Sequence, residues 1–220
     1  MDESMFATVA VLFALAIIGF LIYLGVVHAK KRREGFQRLA TRLGFQFADM
    51  PGVPPEAIQA GFNLFSRGRS TRVRNLVRGQ IDDVHVAAFD YSYTTGSGKN
   101  SKTHSQTVLL LSRPGLKLPR FTLNPENMLH RIGEMLGFDD IDFSHAPHFS
   151  RCYRLSGPDA NAVRQAFGPS VISLFERAEG LSVEGDGAHM LLYQTRRHLE
   201  PESELEPSIR RAIGFLKAFA

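Results

Sequence analysis

Cysteine occurs once, at Cys152, and tryptophan is missing altogether. A lone thiol closes no disulfide within the chain, which excludes a disulfide-stapled scaffold and fits a reducing compartment. It also leaves any zinc site without a paired-cysteine framework. His145, His148 and Cys152 in HAPHFSRC offer three atoms that zinc accepts, but a closed structural site takes four. That stretch therefore reads as a proline-containing linker, and no metal is expected. G-x-S-x-G, H-E-x-x-H and G-x-G-x-x-G are absent as well, which removes the spacings of a nucleophile elbow, a zinc protease and a dinucleotide fold. No catalytic residue and no cofactor follow from the sequence.

What is present is a long apolar run. Met5 to Val27 reads MFATVAVLFALAIIGFLIYLGVV, 23 positions without a charge, against the ~20 that a helix needs to cross the hydrocarbon core. A secretory leader carries its basic residues in front and a cleavage site behind. Here the order is reversed: Asp2 and Glu3 precede the run, and Lys30, Lys31, Arg32 and Arg33 follow it. Basic residues beside a span stay on the cytoplasmic side. The expectation is a single-pass protein with its N-terminus outside and the rest in the cytoplasm.

The formal charge of +4 conceals an uneven distribution. Between His28 and Arg78 eleven Lys and Arg face three acids, a local balance of +8, whereas the chain from Gly79 onward carries −2. Anionic headgroups attract such segments by about 1 kcal/mol per basic residue near the surface. Nucleic acid attracts the same charges, but no aromatic-basic recognition motif accompanies them, so a lipid surface is the expected partner. Lys30, Lys31, Arg32, Arg33, Arg38, Arg42, Arg72, Arg74 and Arg78 are the expected membrane-surface residues.

Phe36, Leu39, Ala40 and Leu43 recur at helical spacing up to Gly44, which makes a short amphipathic helix. Two readings of it stay open: a helix lying along the membrane surface, or a charged face over a domain core. After the proline-punctuated 51–62 segment the period changes to two. Arg72, Arg74 and Arg78 are expected on one side of a strand, Asp82-Asp83 at a turn, and VHVAAFDYSY, apolar on both faces, as a central strand. SQTVLLLS and LPRFTL continue an antiparallel meander. Asn124-Pro125-Glu126 reads as a helix start, with Met128, Leu129, Ile132, Met135 and Leu136 as its buried face. FSRCYRL reads as a strand, residues 157–180 as two helical stretches, GPDANAVRQAF and SVISLFERAEG, broken at Gly168-Pro169, and residues 181–195 as a hairpin on Gly185-Asp186-Gly187. A helix buries Ile209, Ala212, Ile213, Leu216 and Phe219.

Strands in runs, with helices between them, indicate an α+β fold. The expected organisation is an anchor at 1–28, a basic juxtamembrane helix and linker at 29–62, an antiparallel meander plus helix at 63–143, and a second α+β lobe packed on the first at 144–220.

GSGKNS at 96–101 invites a phosphate-loop reading. A Walker loop needs G-x-x-x-x-G-K-[ST] opening a helix. Here Asn100 follows Gly98-Lys99, Tyr93 stands where the first glycine belongs, and the stretch joins two strands. It is instead a hairpin loop of around eleven residues, longer than usual and so a candidate for function. Asp90, Lys99, Lys102 and His104 are its candidate ligand or partner residues; the alternative of an enzyme or small-ligand site uses Asp90, Lys99 and His104, and an acid-base site can also be drawn from Asp90, Tyr91, Tyr93 and His104.

With its N-terminal span, basic juxtamembrane helix and FDYSYTTGSGKNSKTHSQTV hairpin, the chain resembles a group of uncharacterised bacterial membrane-anchored proteins over most of its length. The resemblance implies a bacterial inner-membrane setting and supplies no catalytic residues. The expected role is an interaction or scaffold module with an unknown protein partner; the alternative is a small-ligand binder or enzyme at the 94–104 loop.

Overall fold

The computed structural model describes residues 3–126, 139–178 and 180–220. Its first element is one continuous helix, α1, Glu3–Leu43. The apolar run and the expected amphipathic helix are a single rod, because nothing between Val27 and Glu34 breaks the helix. From Val11 to Val26 the large apolar side chains lie open, Phe13 at 68% exposure. By length and composition this part is able to cross a membrane. The last turns behave differently: Phe36, Leu39 and Ala40 are buried in the core, each large side chain contributing about 1.5–3 kcal/mol. Of the two open readings, the structure takes the one in which this helix covers a domain core.

Gly44 ends α1 at φ +68°. Phe45 N donates to Ala40 O at 2.8 Å and Gly44 N to Thr41 O at 3.4 Å, a Schellman ending that requires the left-handed residue. Phe45 then folds under the sheet.

Among the described residues the other α-helices are α2 (Pro55–Gln59), α3 (Asn63–Ser66), α4 (Pro147–Cys152), α5 (Ala160–Ala166), α6 (Pro169–Glu176) and α7 (Leu205–Lys217). The strands are β1 (Gln46–Ala48), β2 (Arg69–Ile81), β3 (Val84–Thr95), β4 (Lys102–Ser112), β5 (Leu118–Pro125), β6 (Tyr153–Ser156), β7 (Ser182–Gly187) and β8 (His189–Tyr193). All eight form one antiparallel sheet in the order β1-β2-β3-β4-β8-β7-β5-β6. The α+β class is as expected. The meander, however, stops at β4, and the β7–β8 hairpin lies between β4 and β5. The segments 63–143 and 144–220 thus share one sheet through the β4–β8, β5–β6 and β5–β7 pairings.

Alternation along β3 separates two cores. Val84, Val86 and Ala88 face α1 and α7, within the larger apolar cluster. Ala87, Phe89, Tyr91 and Tyr93 face α2 and α3, with the Phe65 ring edge-on to Tyr91 at 5.0 Å. Both faces are covered, which explains the apolar character of the whole strand.

Several local expectations change. A bulge between Arg74 and Val77, with Asn75 at φ +54°, inserts one residue and reverses the parity beyond it. Arg72 and Arg74 therefore face the α1 side, while Arg78, opposite Ala87, faces the other. Asn124 and Pro125 finish β5 opposite Arg154 and Tyr153 instead of starting a helix; the expected helix at 128–136 lies outside the described residues. HAPHFSRC is not a linker: Pro147 opens α4, which buries Phe149. The β7–β8 turn falls one step later than expected, at Gly187-Ala188, since Asp186 pairs with His189.

Gly79 marks where the end of α1 is pinned. A Cβ there would stand 2.1 Å from Phe45 Cδ1, so the ring occupies the space that any other side chain needs. Gly79→Ala is expected to destabilise the fold by ~1–3 kcal/mol in denaturant titration, and Phe45→Leu in that background should recover part of the loss. An unchanged midpoint for Gly79→Ala would disprove the close packing.

Candidate functional site

The polar centre of the molecule is the junction of α1 with the sheet. Arg32 Nε donates to Asp90 Oδ2 at 2.6 Å and its Nη2 to Oδ1 at 2.7 Å, a two-pronged pairing that suits a guanidinium and a carboxylate. Both side chains are only 10% exposed. Three further elements complete the shell. Asn75 Nδ2 donates to Asp90 Oδ2 at 2.9 Å, Thr107 Oγ1 to Oδ1 at 3.1 Å, and His198 Nδ1 to Oδ1 at 3.1 Å. Thr107 Oγ1 in turn accepts from Arg32 Nη2 and from Leu199 N, each at 3.0 Å. The bulge in β2 is what brings Asn75 to this carboxylate.

Burial alone would raise the Asp90 carboxyl. The hydrogen bonds from Arg32 and His198, the Arg32 charge and the Asn75 amide outweigh it and hold the group at about 2. A permanently ionised, fully bonded carboxylate is a clamp, not a proton carrier.

This arrangement reassigns several expected site residues. Arg32 points inward, against Phe36 and Asp90, and is not a surface charge. Arg33 pairs with Asp49 at 3.1 Å, Arg42 with Glu206 at 3.0 Å, Arg78 with Glu56 at 2.9 Å, and Arg38 with Glu202. Lys30, Lys31, Arg72 and Arg74 remain exposed and make no ion pair among the described residues.

The loop constellation does not converge. Asp90 pairs with Thr107 and Tyr93 with His104 across β3 and β4, so Asp90 and His104 point to opposite faces of the sheet. His104 stacks on Tyr93 at 4.8 Å. Its Nδ1 accepts from Arg196 Nε at 3.2 Å, which leaves Nε2 to donate to Thr95 Oγ1 at 2.8 Å. Burial first, then the Arg196 and Lys102 charges, push the imidazole down, which favours this neutral form. The enzymatic combination of Asp90 with Lys99 and His104 is thereby removed. The connection itself is shorter than expected, since Thr95 still pairs with Lys102. Lys99 and Lys102 stand exposed at its tip.

The tip and the N-terminal rod leave the same end of the sheet. Phe45, just past α1, lies against Gly79, which pairs with Val86, whereas Arg32 reaches Asp90, nearer the hairpin. Moving up α1 toward residue 28 is moving toward the 96–101 tip, past Arg74 and Arg72.

A second buried pairing escaped the sequence. Glu184, 1% exposed, accepts from the backbone of Asn63 and, at 3.1 Å, from that of Leu64. Arg67 lies 4.0 Å away and over the Tyr193 ring. Burial pushes the Glu184 carboxyl up against the pull of Arg67 and the two amides. This pair fastens α3 to the sheet. No signal distinguishes Arg67 from its exposed neighbours, or His198 from a loop histidine; Asn75, a polar residue in the inward register of an apolar strand, was the one visible hint.

Arg32→Ala strands a buried carboxylate and should cost about 3–5 kcal/mol. The acid dependence has a defined sign. With Asp90 at about 2 when folded and ~3.9 when unfolded, its contribution of roughly 2–3 kcal/mol is present above pH ~4 and is lost as pH falls toward 2. Denaturant titrations across that window should show wild type losing more stability than Asp90→Asn. Equal acid sensitivity would remove the clamp.

No family model and no curated protein matches the chain. Among solved structures, it is similar to the crystal structure of the mycobacterial trehalose monomycolate transport factor A, TtfA. The two are 13% identical, and the alignment covers 87% of this chain and 92% of that one at a TM-score of 0.58. The likeness is one of fold.

Proposed function

We propose that the chain is a single-pass membrane protein whose sheet domain stands on the cytoplasmic leaflet and acts as a non-enzymatic interaction module for a lipid-handling membrane assembly. One observation carries the reading: the apolar rod and the domain core are parts of the same helix, clamped by Arg32 and Asp90. A removable leader has no reason to continue into buried core turns, whereas an anchor that fixes the domain's height and orientation has. The basic residues after the apolar run favour a cytoplasmic domain. Lys99, Lys102, Arg72 and Arg74, at the end of the sheet from which the rod leaves, suit an anionic leaflet. The saturated bonding of Asp90 argues for an interaction role over catalysis. The fold likeness to a trehalose monomycolate transport factor directs the choice of assembly.

Two measurements test this. A reporter active only in the cytoplasm, fused after Ala220, should give signal; activity of a periplasmic reporter there instead would reverse the topology. In lipid discs containing anionic lipid, a dye on Ser97→Cys should transfer energy to labelled headgroups. Added salt should weaken the transfer, because the screening length falls from ~10 Å at 0.1 M to ~3 Å at 1 M. Replacing Lys99, Lys102, Arg72 and Arg74 with glutamine should weaken it likewise. Transfer indifferent to both would take the hairpin away from the bilayer.

A further inference from the structure

Between α7 and the sheet lies a cavity of about 190 Å³, a place that neither the anchor nor the clamp accounts for. One side of it is apolar: Leu109 of β4, Leu192 of β8, and Ala212 and Phe215 of α7 line it, each largely buried in the core. An apolar cavity of ~150 Å³ is large enough to hold benzene, so this one takes a chain of roughly six carbons.

The mouth is cationic. Arg197 is neutralised by Glu204 at 2.9 Å. Arg211 is not: its Nη2 donates to Arg177 O at 2.7 Å, and among the described residues it pairs with no carboxylate. A guanidinium without a carboxylate partner, lying 5.5 Å over the Phe215 ring at the edge of a recess with an apolar side and polar groups from Thr107, Gln194 and Ser208, is complementary to a single-chain amphiphile with an anionic head. A fatty-acid carboxylate meets both demands, its oxygens on Arg211 and its tail among Leu109, Leu192 and Phe215.

We propose that this cavity is a binding site for the carboxylate class of single-chain lipids. It borders the clamp directly, because Thr107 and Leu199 also line it and Thr107 Oγ1 accepts from both Leu199 N and Arg32. A tail in the recess packs beneath the strap that carries His198 to Asp90. The proposal does not depend on the hairpin meeting the bilayer or on which assembly the domain serves.

Octanoate is the probe, titrated against the full chain in lipid discs by ligand-observed NMR, with empty discs subtracted. Saturable binding is expected, weakened at least tenfold by Arg211→Gln and abolished by Ala212→Leu, which fills the recess. Octylammonium, with the same tail and opposite charge, should bind at least tenfold more weakly. The unliganded melting midpoint reports whether each variant folds; should Ala212→Leu fail, Ala178→Leu fills the recess from the other side, and Arg211→Gln decides independently. No saturable octanoate signal above empty discs, equal binding of octylammonium, or wild-type binding by the folded variants would overturn the site.

Discussion

The Arg32–Asp90 pair is the constraint on which the architecture turns. A helix that leaves a domain as a bare rod needs its direction set where it joins the core, and apolar contact alone fixes direction poorly because it is non-directional. A two-pronged guanidinium–carboxylate contact is directional. Here the carboxylate is held from β2, β4 and the segment after β8 as well, so one residue of α1 is referenced to the whole middle of the sheet. Such a buried pair adds little net stability over an apolar replacement; its value lies in geometry.

The sheet is built to make that reference rigid. β3 is apolar on both faces and lies between α1 and α7 on one side and α2 and α3 on the other. The helix face has a second aromatic lock, in which Phe175 stacks on Phe215 at 4.9 Å, fixing α7 against α6. On the opposite face Glu184 and Arg67 hold α3. Each face is therefore closed by one buried pair and a group of rings, and the two pairs sit on opposite faces of the one sheet, Asp90 on β3 and Glu184 on β7.

Charge placement follows from the same geometry. Most arginines after the apolar run are spent on acids of the domain, Asp49, Glu56, Asp90, Glu202 and Glu206. Asp49 and Glu56 belong to the basic segment itself, whereas Asp90, Glu202 and Glu206 come from farther along the chain and reduce its excess charge on folding. Of this segment's basic residues, Lys30, Lys31, Arg72 and Arg74 make no ion pair among the described residues, and they lie toward the end from which α1 departs.

Local periodicity made much of this legible. The apolar run, the stop at Gly44, the two-faced strand at 84–93, the Asp82-Asp83 turn and the C-terminal helix with Ile209, Ala212, Ile213 and Leu216 all rest on neighbours within a few residues, whose spacing is set by helix and strand geometry. The partners of charged groups were not legible, because they depend on which distant segments meet. Arg32 and Asp90 lie 58 residues apart, and Arg67 meets Glu184 only because β7 pairs into the sheet beside β5 and β8. Nor could the side of Arg78 be read: one inserted residue at the bulge reverses every later side chain. An apolar N-terminal run joined to an α+β domain follows from local pattern alone; that the run continues into the domain's core as one helix, which arginine clamps it and which charges face outward depend on how distant segments pack.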